Sequence, residues 1–146
     1  MIQWREQWLT EGTNLLRPYF KDKDYEIPEK IRVSCGWPST GGLSEKKRRL
    51  GECWANDAAV DGVNQIFISS YVADSFKVLE ILVHELLHAC LPKGAGHKKP
   101  FKEGMKALGL VGKATSTAAG DELKVFLETL LNSFLPEYPQ SKLDKV

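Results

Sequence analysis

Apolar residues recur every third or fourth position between Ile2 and Phe20, where Trp4, Trp8, Leu9, Leu15, Leu16 and Phe20 keep helical spacing. This predicts a first helix, weakened in its middle by Gly12 and Thr13 and closed at Pro18 or soon after. A polar connector containing Pro28 follows over residues 21–30, and the pattern then changes to alternation, with Ile31 and Val33 on one face of a strand at 30–34. Gly36, Pro38, Gly41 and Gly42 mark a long loop that ends in Glu45, Lys46, Lys47, Arg48 and Arg49. A second strand is expected at 50–56, a turn through Asp61 and Gly62, and a third strand at 65–69 with Ile66 and Ile68 on one face. The most apolar stretch, residues 75–91, predicts a central helix capped by Asp74 or Ser75 and ended by Pro92, Gly94 and Gly96. Pro100 suits the first turn of a helix at 101–108 that stops at Gly109. Residues 111–120 read as a connector of small residues. The last helix, 121–134, carries Leu123, Phe126, Leu127, Leu130 and Leu131 as its buried stripe, with Pro136 and Pro139 beyond it and a frayed tail after Ser141. The expected class is α+β: one domain over residues 1–146, with a three-stranded sheet, a central helix, an N-terminal helix and two covering helices.

Composition narrows the picture little. At 146 residues and 42% hydrophobic content the chain can bury a core without staples. The net charge of +1 does not by itself call for a polyanionic partner. Cys35, Cys53 and Cys90 form no CxxC pair, so neither a disulfide framework nor a thiolate zinc site is indicated, and a reducing, cytoplasmic setting fits best. The early charges Arg5 and Glu6 do not suit a signal peptide, and the run around residues 78–91 is too short and too interrupted by Glu80, His84, Glu85 and His88 to cross a membrane. A soluble monomer is expected.

Chemistry enters at His84-Glu85-Leu86-Leu87-His88. Histidines at i and i+4 leave one helix face a turn apart, so both imidazoles can hold one zinc ion, and the glutamate between them can reach the water that the ion activates. The three histidines of the chain fall within residues 84–97. His97 is the favoured third ligand, because a loop bounded by Gly94 and Gly96 can fold back to the helix. Glu103 and Glu122, on downstream helices, are the alternatives. The metzincin spacing is excluded, since Leu91 and Gly94 stand where that pattern needs Gly and His. Three neutral imidazoles and a base in Glu85 suit hydrolysis of an amide, most simply a peptide bond. The partner expected is therefore a protein or peptide substrate, which the strand at 65–69 would receive as an added strand if it lies at a sheet edge. Lys98, Lys102 and Lys106 share a helix face, with Lys93 and Lys99 nearby, a charge compatible with an acidic or DNA-bound substrate but most simply a solvated surface. Cys53 and Cys90 are expected to be small buried hydrophobes.

The same residues carry a resemblance. His84-Glu85-Leu86-Leu87-His88-Ala89, followed by Gly96-His97-Lys98-Lys99-Pro100-Phe101, resembles the SprT-like zinc metallopeptidases. Leu50-Gly51-Glu52-Cys53-Trp54 and Ile66-Phe67-Ile68-Ser69 look like the strands before that family's metal helix. Residues 108–115 and 135–139 are similar to segments of its phage and prophage members. The resemblance implies zinc on His84, His88 and His97, Glu85 as catalytic base, and the host cytoplasm as location for a phage-encoded member. It also implies, by analogy with the Spartan proteases, a substrate crosslinked to DNA. Two departures stand out. No cysteine follows Cys90, so the zinc ribbon of many relatives is expected to be lacking, and Gln140 stands where relatives carry a histidine after the Tyr-Pro pair. The rival readings are a zinc-binding interaction module without turnover, and a zinc amidase acting on a non-peptide amide such as cell-wall material.

Overall fold

The computed structural model describes residues 2–36, 50–54 and 61–139. The basic run at 46–49, Gln140 and the expected frayed tail lie outside them. Helix α1 spans Arg5–Asp22 and opens on a box in which the Gln7 side-chain oxygen accepts the backbone N–H groups of Gln3 and Trp4. It runs through Pro18 and closes about one turn later, at Asp22. Proline removes one helical hydrogen bond, but the last turn is held from outside: Phe20 is fully buried, the Tyr19 ring stacks on Phe126 at 4.5 Å, and the Tyr19 hydroxyl donates to the Leu108 carbonyl at 2.8 Å. Arg17 then ties the polar connector back to the helix by donating to the carbonyls of Ile27, Pro28 and Glu29.

Strands β1 (Ile31–Gly36), β2 (Gly51–Trp54) and β3 (Asn64–Ser69) form one sheet in the order β1-β3-β2. β1 runs parallel to β3, and β2 runs antiparallel to it. The registers put Val33 and Cys35 beside Ile66 and Ile68, and these beside Cys53 and Gly51, all on one face of the pleat. Helix α2, Ser75–Cys90, packs against β2 and β3, and α1 lies against β1 and α2. Asp74 caps α2 by accepting the Lys77 N–H at 2.9 Å, while Ser75 accepts the Tyr138 N–H at 2.8 Å. The third strand is therefore the centre of the sheet, not an edge: the hydrogen-bonding groups expected to receive an added strand are taken by β1 and β2. Among the described strands the edge beside α2 is β2.

Helix α3, Lys99–Leu108, has Pro100 in its first turn and ends at Gly109. The stretch read as a connector is a β-hairpin, β4 (Leu110–Lys113) and β5 (Ser116–Ala119), paired antiparallel. Apart from buried Leu110 its residues are mostly small or exposed, so no apolar alternation announces it; polar contacts from α2 reach Thr117 and Ala119 of β5. Helix α4, Asp121–Ser133, buries Leu123, Leu127 and Leu130. Beyond it, residues 135–139 cross back over α1: Trp8 Nε1 donates to the Pro136 carbonyl at 2.7 Å, Arg5 Nε donates to the Pro139 carbonyl at 2.9 Å, and buried Tyr138 meets the Trp8 ring edge-on at 4.9 Å. The α+β class stands, with a hairpin added. Among the described residues no helix is long and apolar enough to cross a membrane.

Candidate metal centre

Helix α2 buries Val78, Leu79, Leu82, Val83, Leu86 and Leu87, which fixes its rotation and turns the remaining face, with His84 and His88, toward a cleft. The chain leaves α2 at Pro92 and reverses through two short turns, where the Ala95 N–H donates to the Pro92 carbonyl and the Lys98 N–H to the Ala95 carbonyl. Gly94 and Gly96 have φ of 87° and 54°, the left-handed region that side chains other than glycine rarely adopt. This reversal carries His97 back to the helix. His97 Nε2 lies 3.3 Å from His84 Nε2 and 3.1 Å from His88 Nε2. The three residues are close enough to hold one metal ion.

Phe101, fully buried on α3, is the floor of this cluster. Its ring stacks on His88 at 4.4 Å and meets His84 and His97 at 4.9 and 5.0 Å. Burial, and then the proximity of His88 and His97, pulls the His84 pKa from 6.5 down to about 3. The ring therefore stays neutral, the state in which a nitrogen can ligate a metal. Its other nitrogen, Nδ1, is 2.7 Å from the Thr117 hydroxyl on β5.

Glu85 is 7% exposed and lies under the edge strand. The approach is close enough to require glycine at 51: a Cβ there would stand 2.7 Å from Ile81 Cγ2 and 2.9 Å from the Glu85 carboxylate oxygen. The glutamate alternatives for the third ligand are elsewhere. Glu122 pairs with Lys23 at 2.5 Å, and exposed Glu103 is outside the cluster. Cys53 and Cys90 are outside it too. Both are half-buried rather than the fully buried small hydrophobes expected; burial first, then the charges of Glu85 and Glu26 respectively, pushes both thiols up to about 12, so they remain neutral.

The cleft has a volume of about 1220 Å³. One wall is β2 with Leu50, the opposite wall is the hairpin from Thr115 to Thr117, and α2 with the His97 loop forms the base. Lys77 and exposed Lys93 line it, whereas exposed Lys98, Lys99, Lys102 and Lys106 do not. Sequence reasoning missed Gly51, Thr117 and Glu80, whose carboxylate accepts the Ala119 N–H at 2.7 Å. Glu80 had a signal, since Glu80, His84 and His88 repeat every four residues along one helix face; Thr117 had none. No protein-family model, curated protein or solved structure matches the chain.

Proposed function

We propose that the protein is a zinc metallopeptidase of the SprT-like type, with His84, His88 and His97 as metal ligands and Glu85 as the base. The observation that carries this reading is the convergence of three imidazole nitrogens in one cleft, beside a buried glutamate from the same helix turn. Two of the three nitrogen separations suit an ion such as zinc. Two nitrogens about 2.0–2.1 Å from one tetrahedral ion stand roughly 3.3–3.4 Å apart, close to the 3.3 and 3.1 Å separations of His97 Nε2 from its neighbours. When bound to three neutral imidazoles, zinc supplies Lewis acidity, acidifying water and polarising a carbonyl.

The chain's own residues do the rest. Glu85 takes the proton released by the attacking water and returns it to the leaving amine. Burial of its carboxylate under Gly51 limits the positions it can occupy, so it is oriented before substrate arrives. Among the described strands β2 is the edge that runs beside Glu85, and an extended peptide pairing there would lie in the cleft.

The test compares metal content and proteolysis of the wild type with Glu85→Gln. Both proteins should retain one zinc ion, and only the wild type should cleave an unfolded protein. Zinc in both with cleavage in neither would favour a binding module without turnover. Release from cell-wall preparations, but not from denatured protein, would favour the amidase reading.

A further inference from the structure

The β4–β5 hairpin offers little apolar surface: of β5, Ser116 and Ala118 are exposed and Thr117 and Ala119 only half-buried. Two polar contacts fasten it to α2. Ala119 N–H donates to Glu80 at 2.7 Å, and one turn further along the same helix face Thr117 Oγ1 lies 2.7 Å from His84 Nδ1. The second contact falls on an imidazole whose other nitrogen faces His97. A neutral imidazole has one proton for two nitrogens. For Nε2 to offer a lone pair to an ion, the proton must sit on Nδ1, where an acceptor is needed. Hydroxyl oxygen provides one.

We propose that Thr117 is a positioning residue for His84: its hydroxyl accepts the Nδ1–H bond, which fixes the tautomer and the ring rotation that present Nε2 to the metal. This rests on the metal-centre reading above. Partners of this kind commonly account for a 10–100-fold difference in metal affinity. Glu80 keeps the strand that carries Thr117 in register with the helix, so the hairpin belongs to the metal centre although it contributes no ligand.

The test is zinc affinity by competition with a chromophoric chelator, for the wild type, Thr117→Val, Thr117→Ser and Ser116→Ala. Valine is well accommodated in a strand and removes only the hydroxyl. It should weaken zinc binding 10–100-fold, whereas Thr117→Ser and Ser116→Ala should stay within about threefold of the wild type. Nitrogen NMR of the zinc-loaded wild type reads the tautomer directly, independently of whether any variant folds. Metal on Nε2 and a proton on Nδ1 of His84 are expected, and the reverse assignment overturns the proposal. If the wild type binds zinc and Thr117→Val binds it as tightly, or Thr117→Ser fails to restore affinity, the assignment of Thr117 falls and the metal centre stands. If the wild type binds no zinc, the metal centre falls and this proposal with it.

Discussion

At the scale of single residues, His84 and Gly51 show how closely the site is fitted. His84 stays neutral in the folded chain down to about pH 3, while an unfolded chain takes up a proton below about 6.5. The unfolded state therefore binds more protons across that window, and stability falls as pH falls through it. The metal-free protein should lose urea resistance between about pH 6.5 and 3, and His84→Phe should flatten that part of the profile. Gly51→Ala presses a methyl group against Ile81 and the Glu85 carboxylate. A destabilisation of about 1–3 kcal/mol is expected from urea unfolding, and on the proposed mechanism the loss of hydrolysis should exceed the loss of zinc, because the displaced group is the proposed base and not a proposed ligand.

At the scale of elements, α3 supports the metal centre from below. Phe101→Ala removes the ring on which the three imidazoles rest and should cost about 3–5 kcal/mol in thermal or urea unfolding. It should also weaken zinc binding measurably by chelator competition. The sequence made α2 and α4 legible through a long apolar period with recognisable ends, Asp74 before α2 and Pro136 after α4, and α3 through its ends alone, Pro100 and Gly109. It identified all three clustered histidines because two share a helix face and the third follows a glycine-bounded turn. What it hid has a common cause. The hairpin depends on Glu80 and Thr117, the end of α1 on Phe126 and Leu108, and the central place of β3 on pairing with both β1 and β2. All are long-range contacts, and no local pattern records them.

At the scale of the whole molecule, the core and the metal centre are adjacent but separable. Trp8, Phe20, Ile66, Ile68, Leu82, Leu86 and Tyr138 belong to one buried cluster, whereas the three histidines are only half-buried at its rim. Chelation should therefore leave the far-ultraviolet circular dichroism spectrum nearly unchanged. It should lower the thermal midpoint by roughly 8–16 °C, since a ligand at a thousand times its Kd contributes about 4 kcal/mol. Collapse of the spectrum on chelation would show instead that the fold requires the ion, as in a zinc finger.

Phe101 carries a consequence of another kind. One ring touches all three histidines, so a change at Phe101 reaches every one of them at once. Substitutions at these four positions should be strongly epistatic: the first is severe, and each later one costs little more. If the histidines hold a metal as proposed, a lineage drifting away from its use would lose the site in a single step rather than by gradual erosion.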